Sequence, residues 1–544
     1  MKVIRNNIVW ILCILISLPL VSSYFHPGFF STHDGEWAIV RLGDMFRTLR
    51  DFQIPPRYSG ALNFGYGYPL FNFAYPFPYY VGTLIHLLGF SFVDSIKILF
   101  ASTVPLSAVG MYFASNALWK SRWAGLVSSI LYVYLPYRMV DLYVRGSIGE
   151  SLAFVLFPVV FYFSLKSLEN RNVVYGVLAG VSYGCLIMTH NIMAVLFTPV
   201  FLLLLVSYAL IYGKNYRSIM FPIISGLLFS AFFWLPAISE KSNILLSRIP
   251  IADRNLYFVT LNQLVIPRWG YGVPDQPNGF SYQIGMAQLA IFITSLIALF
   301  TKINTRWDRE YKMVMVLVLV FTVVLSMMFS FSSPIWKLPF LSEVNYPWTL
   351  LAISGFLISL IAGFIASHGT VLKITALGLC CVAIISTISY AKPAGYVQRG
   401  DQYYLTNPAT TTSSSELMPV WVKLMPSNLV SDKVVILSGK GSIDVVSYNS
   451  KKITFKAHLD SDSAISIQTI YYPGWTMESD NKLLPITYNN EYGVMRVGLT
   501  KGDHVIMGSF SETPLRMWAD TISIVTAIGL GSLVIFKIRK KRYE

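Results

Sequence analysis

The chain has 544 residues, 54% of them hydrophobic and only 13% charged, with a formal net charge of +15. A soluble globular domain carries about 25% charged residues, so this composition excludes that class and points to a helical membrane protein. The basic excess argues for no nucleic-acid partner, because the lysines and arginines sit mostly in short loops between apolar runs, the pattern of a positive-inside topology.

Apolar runs of about 18 or more residues mark membrane spans. Roughly twelve are expected, near 8–23, 95–117, 122–137, 151–166, 172–188, 192–212, 218–236, 283–301, 312–331, 347–367, 370–390 and 517–536. Lys2 and Arg5 before the first run also fit a signal peptide, but no small-x-small cleavage site stands out, and the segment is read as a retained span. With the N-terminus in the cytoplasm, the inner loops and span ends hold Lys120 and Arg122, Lys166 and Arg171, Lys214 and Arg217, Lys302, Arg306, Arg309 and Lys312, and Lys373. The basic tail from Lys537 to Arg542 is then cytoplasmic as well. Cys13, Cys185, Cys380 and Cys381 all lie in apolar runs and have no metal-ligand spacing.

Residues 65–89 are apolar but broken by Pro69, Pro76 and Pro78 and rich in Tyr and Phe. Proline interrupts helices and aromatic residues favour the membrane boundary, so a re-entrant or surface-lying segment is expected. The outer face then carries the segments 24–65, 138–150, 237–282 and 391–516. The last alternates apolar and polar residues, as in Ile453-Thr454-Phe455-Lys456-Ala457, and reads as an extracytoplasmic β-sandwich. Thr410 to Ser415 reads as a short linker. The expected organisation is a transmembrane domain over 1–390, the β-sandwich over 391–516, and an anchor with a basic tail over 517–544.

The most polar stretch at the mouth of the bundle is Thr32-His33-Asp34-Gly35-Glu36-Trp37. Behind it, Ile39, Leu42, Phe46 and Leu49 form one face of a helix, and Arg41, Asp44, Arg47 and Asp51 another, as in a helix lying at the membrane interface. Asp34 suits an N-cap, a role that contributes about 1 kcal/mol. Its company with His33, Glu36 and several arginines at a bundle entrance suits catalysis better. Arg41, Arg47, Arg57, Arg138 and Arg145 have the planar guanidinium that binds phosphate oxygens in pairs, although each also suits lipid headgroups or local carboxylates. Asp141 and Glu150 add acids in the second outer segment, and His190 separates two spans. Asp34 and Glu150 together would be the ligands of a divalent metal such as Mg or Mn, if one is used. Tyr471-Tyr472-Pro473-Gly474-Trp475 suits a sugar face or a packed corner. No Walker loop, dinucleotide fingerprint, HExxH or GxSxG is present.

Several stretches together resemble the GT-C membrane glycosyltransferases, and more narrowly the bacterial and archaeal membrane proteins called 6-pyruvoyl-tetrahydropterin synthase-related. They are His33-Asp34 with its helix, Pro55-Pro56-Arg57, Gly65-Tyr66-Gly67-Tyr68-Pro69-Leu70-Phe71, Tyr143-Val144-Arg145-Gly146 to Glu150, Thr189-His190-Asn191, Phe233-Trp234-Leu235-Pro236, Pro347-Trp348 and Tyr472-Pro473-Gly474-Trp475. The resemblance implies a GT-C-like fold and a polyprenyl-phosphate sugar donor, with a glycan, lipid or protein acceptor outside the cytoplasm. It maps a catalytic acid onto Asp34 and a second onto Glu150, with Asp141 in reserve. The sequence has His33-Asp34-x-Glu36 where a plain Asp-x-Asp is absent, which leaves metal use open. Two other classes fit the composition: a lipid or polysaccharide flippase, and a non-catalytic envelope-assembly protein.

Overall fold

The computed structural model describes residues 2–170, 172–249, 251–273, 276, 278–302, 307–412, 414–480 and 482–543. Arg171, Arg306 and Ser413, named above, lie outside the described residues, as do the side chains of 540–542.

Among the described residues, six helices are long and apolar enough to cross a membrane: Phe92–Trp119, Ile148–Asn170, Asn191–Tyr212, Pro347–Ser367, Thr370–Tyr390 and Pro514–Arg539. A seventh crossing results if Tyr216–Phe229 and Ala231–Ser239, which meet at 70°, form one broken span. The protein is therefore an integral membrane protein of the helical class. The expected twelve spans reduce to these six or seven by helix length and composition. Three others fall on the shorter apolar helices Val9–Phe25, Val173–Thr189 and Met286–Thr301. Of the remaining two, Arg122–Val133 has 12 residues and stops short of Pro136, while Arg309–Ser326 opens with Arg309, Glu310 and Lys312. Between residues 65 and 89 the only helices are Leu70–Phe73 and Phe77–Leu87, both too short to span.

Helix Pro347–Ser367 is the centre of the bundle, and its apolar window is entirely buried. Phe356 meets the rings of Phe157, Phe161, Phe197 and Tyr132. Close approach needs small residues at such a seam. A Cβ on Gly363 would meet Ser115 Oγ at 2.3 Å and Ser128 Oγ at 2.7 Å.

The first-loop helix, Gly35–Arg50, does not lie free on a membrane surface as its amphipathic pattern suggests. Ala38, Ile39, Leu42, Met45 and Thr48 are buried, with Leu42 against Gly82 of the Phe77–Leu87 helix. Strand β1 (Phe29–Phe30) precedes it and pairs antiparallel with β2 (Tyr396–Val397).

Among the described residues beyond 433 there are eight strands: β3 (Val434–Ser438), β4 (Gly441–Tyr448), β5 (Lys452–Leu459), β6 (Ser463–Ile470), β7 (Trp475–Ser479), β8 (Lys482–Leu484), β9 (Val494–Leu499) and β10 (Gly502–Phe510). They make a five-stranded sheet in the order β4-β5-β10-β7-β8 and a three-stranded sheet in the order β3-β6-β9, all antiparallel. The alternation that marked β5 in the sequence is the alternation of the pleat: Ile453, Phe455, Ala457 and Leu459 are buried while Lys456 and His458 are exposed.

Buried charges fasten this region to the helices. Arg516 donates from Nε to Glu240 Oε1 (2.9 Å) and from Nη2 to Glu240 Oε2 (2.7 Å). Asn72 Nδ2 and the Tyr472 hydroxyl donate to the same Oε2, each at 2.9 Å. Glu240 directly follows the bent helix pair, Tyr472 belongs to the β6–β7 turn, and Arg516 opens the last helix. Arg57, expected to bind phosphate, is committed to this junction. It is buried and donates to Glu512 Oε1 (3.2 Å), Asp520 Oδ1 (2.8 Å) and the Phe232 carbonyl (2.6 Å). The Phe232 N–H donates to Ser523 Oγ at 2.8 Å. Both backbone groups of Phe232, just past the bend, are thereby paired.

Candidate active site

Two loops carry the site, and backbone bonds join them. The His33 N–H donates to the Val144 carbonyl (3.0 Å) and the Asp34 N–H to the Arg145 carbonyl (2.8 Å). Thr32 Oγ1 accepts from the Gly35 N–H at 3.1 Å. The second loop is one π-helical turn, Asp141–Arg145, ended by Gly146 at φ +66°. An L-residue is strained at that φ. A Cβ at Gly146 would also lie 2.4 Å from Thr32 Oγ1 and 2.8 Å from the Gly35 nitrogen. Gly146→Ala is therefore expected to push the two loops apart. The expected result is a Tm lowered by a few degrees, read from the thermal unfolding of the detergent-solubilised protein.

Asp34 occupies the N-cap position of Gly35–Arg50, yet its side chain makes no capping hydrogen bond. Its carboxylate is exposed, and no hydrogen bond or ion pair to it is present among the described residues. The capping reading of Asp34 thus loses its physical basis. The hydroxyl of Thr32 takes the Gly35 N–H instead.

Glu150 is buried. It forms an ion pair with Arg145 Nη1 and accepts from the Tyr137 hydroxyl at 2.6 Å. Arg145 Nη1 also lies 3.1 Å from the Tyr137 oxygen and 3.6 Å from Asp141 Oδ1, and the guanidinium rests 4.7 Å from the Trp348 ring centre. Its Nε and Nη2 make no hydrogen bond among the described residues, leaving one edge of the fork open. Asp141 is buried and accepts from Ser151 Oγ at 2.6 Å. Burial and then the nearby Glu150 push its carboxyl well above the usual range.

Arg41 donates to Thr411 Oγ1 (2.9 Å) and to the Thr411 carbonyl, and reaches the Tyr79 hydroxyl at 3.5 Å. No carboxylate pairs with it among the described residues. Tyr75 is the element that relates these groups. It lies within electrostatic reach of Arg41, Asp34 and Arg145, and stacks on His190 (5.5 Å, 19°) and Tyr79 (6.2 Å, 5°). His190 Nδ1 accepts from the Met193 N–H at 3.3 Å. Burial outweighs the attraction of Glu150 and lowers its pKa to about 4, so the ring is neutral near pH 7. Tyr346 is likewise within electrostatic reach of Arg145 and Asp34.

The remaining sequence-derived residues are occupied elsewhere. His33 Nε2 donates to the Tyr271 carbonyl at 2.9 Å, which ties Tyr271 to the first loop. Glu36 pairs with Arg399 (3.0 Å) and accepts from the Tyr404 hydroxyl (2.9 Å), which secures the segment after β2. Arg138 is fully buried. It donates to the Ser151 carbonyl (3.0 Å) and Thr103 Oγ1 (2.7 Å) and lies over Phe154. A fully buried Arg138 offers no phosphate-binding edge. A metal fits poorly: Glu150 has both oxygens engaged, and no three His, Cys, Asp or Glu converge as a ligand set among the described residues. Tyr75, Tyr137, Tyr346 and Trp348 were not singled out by residue type. The one signal for Tyr75, Tyr346 and Trp348 was the density of aromatic residues beside prolines in 65–89 and at Pro347-Trp348.

Residues 71–392 match the family model described as 6-pyruvoyl-tetrahydropterin synthase related domain, a membrane protein. The chain belongs to this family. The match takes in Arg145, Glu150, His190 and Tyr75, whereas Asp34 and Arg41 precede it. An uncharacterized protein of Lactococcus lactis subsp. cremoris (strain MG1363) is 23% identical over 321 residues, covering 56% of this chain and 51% of that protein. The chain thus spans about half the length of this curated relative. The chain is also similar to the apo oligosaccharyltransferase of Archaeoglobus fulgidus (TM-score 0.46, 14% identity, 75% of this chain and 60% of the other). Two further similar structures are arabinofuranosyltransferase AftD from Mycobacteria (0.45, 16%, 72% and 27%) and apo ArnT from Cupriavidus metallidurans (0.38, 12%, 72% and 75%).

Proposed function

We propose that the protein is a membrane glycosyltransferase that moves a sugar from a polyprenyl-phosphate donor to an acceptor hydroxyl outside the cytoplasm, with inversion. The observation that carries this reading is the state of Asp34. It is an exposed carboxylate with no hydrogen bond or ion pair among the described residues, held by its own backbone against the loop that presents Arg145. Asp34 takes the acceptor proton as general base. The acceptor oxygen bonds to the anomeric carbon as the bond from that carbon to the phosphate oxygen breaks, and polyprenyl phosphate leaves with the electron pair. The open edge of Arg145, and Arg41 with no acid to neutralise it, favour the departing phosphate. Glu150 acts as a positioning residue, fixing the other edge of Arg145. Neutral His190 and Tyr75 wall the site with stacked rings. In this reading the first loop and the strand-rich region face away from the cytoplasm, both termini lie inside, and the chain crosses the membrane twelve times with the help of its shorter apolar helices. The resemblance drawn from the sequence motifs supports the same assignment.

The direct test offers the purified protein in lipid nanodiscs a panel of radiolabelled polyprenyl-phosphate sugars, with and without host glycolipids. Transfer, or slow release of free sugar, is expected from at least one donor. Saturable donor binding is expected even where the acceptor is missing. Failure of every donor to bind would overturn the reading.

A further inference from the structure

A cavity of about 520 Å³ lies at the far end of the first-loop helix, lined by Phe46, Arg47, Arg50, Asp51, Phe92 and Leu405 among others. We propose that it binds the headgroup phosphate of an anionic glycerophospholipid, with Arg47 and Arg50 as the phosphate ligands.

The guanidinium groups are available. Arg50 is exposed, makes no hydrogen bond or ion pair among the described residues, and lies 5.9 Å from the Phe46 ring centre. Arg47 gives one N–H to the Leu405 carbonyl at 3.2 Å and lies 3.8 Å from buried Asp44, while 43% of its side chain stays exposed. The acid on the cavity wall, Asp51, gives one of its carboxylate oxygens to the fold, Oδ2 accepting from the Ser450 N–H at 2.9 Å. Two fork-shaped cations with open donors match a phosphate.

The surroundings say what carries that phosphate. His86 stacks on Phe92 (3.8 Å) and meets Phe46 edge-on (4.8 Å), so the cavity wall continues into the end of the Phe77–Leu87 helix. There Leu84, Leu87, Leu88 and Phe90 are 64%, 64%, 79% and 45% exposed. A contiguous apolar ridge on a membrane protein is covered by acyl chains. Phosphate ligands beside such a ridge describe a lipid with a charged headgroup. The cavity is distinct from the proposed catalytic site. Twelve helical residues separate Gly35 from Arg47, a rise of roughly 18 Å, so a sugar donor held here would be out of reach of Asp34. The lipid would instead brace the helix whose other end presents Asp34.

The test is native mass spectrometry of the full chain released from nanodiscs of equal phosphatidylcholine and phosphatidylglycerol. Phosphatidylglycerol is expected to be retained over phosphatidylcholine by about tenfold, the preference falling severalfold in Arg50→Gln and to near unity in Arg47→Gln/Arg50→Gln. Arg50→Gln breaks no hydrogen bond or ion pair among the described residues and gives up only the contact with the Phe46 ring, so an unchanged Tm beside the altered retention marks the effect as one on binding. Equal retention of the two lipids by the wild type, or unchanged preference in both variants, would overturn the proposal. So would displacement of phosphatidylglycerol by substoichiometric undecaprenyl phosphate, which would make the cavity a carrier-lipid site.

Discussion

Asp34→Asn is expected to lower sugar transfer by about 10²–10⁴-fold, the usual contribution of a positioned general base, while leaving the protein folded. The two halves of that expectation have separate causes. The substitution keeps the shape of the side chain but removes the lone-pair basicity that accepts the acceptor proton. The loop itself is held by the Asp34 and His33 N–H groups and by Thr32, none of which changes. With no side-chain cap bond to lose, the variant forfeits little of the ~1 kcal/mol that a true cap contributes. Initial rates with a competent donor and the unfolding midpoint in the same detergent decide the matter. A lowered midpoint with an unchanged rate per folded molecule would return Asp34 to a structural role. Thr32→Val is the matching control and is expected to move the midpoint more than Asp34→Asn does.

The largest effect on stability is expected at the junction between the helices and the sheets. Arg516→Ala leaves Glu240 with its remaining partners, Asn72 and Tyr472, but no cation. Removing one member of a buried pair typically costs about 3–5 kcal/mol, because the other charge stays desolvated. The Arg516 side chain is fully buried and that of Glu240 is 11% exposed, so solvent screens the pair little. The variant is expected to show an early unfolding step and faster proteolysis between residues 434 and 510. Glu240→Gln/Arg516→Met removes both charges and is expected to cost much less than the sum of the single changes. If the double variant is as unstable as Arg516→Ala, the stacking of the Arg516 guanidinium on the Tyr472 and Phe510 rings matters more than its pairing with Glu240.

The elements legible in the sequence are those whose signal is local. Apolar runs located the six long helices, and the strand alternation from Ile453 to Ala457 fell on β5. The helix after Asp34 was visible in its spacing, though its apolar face packs on protein instead of lipid. The twelve expected spans outnumber the six or seven that qualify by length and composition among the described residues, because some apolar helices are short or charged at one end, as in Arg122–Val133 and Arg309–Ser326.

The sequence by itself determined that this is a helical membrane protein with a strand-rich region near its C-terminus, because hydrophobicity and period are properties of adjacent residues. It also singled out Asp34 and Arg145 by their setting in short polar loops. Only the tertiary structure decided which charged groups are free. Arg57 is spent on Asp520, 463 positions away, and Glu36 on Arg399, 363 positions away. Such partners leave no local pattern, since a salt bridge is a matter of distance in space. The same folding left Asp34 with no hydrogen bond or ion pair among the described residues, drew Arg138 into the core, and brought Tyr75 within electrostatic reach of Arg41, Asp34 and Arg145. A side chain's chemistry is set by its residue type, but its availability is set by what the fold packs against it.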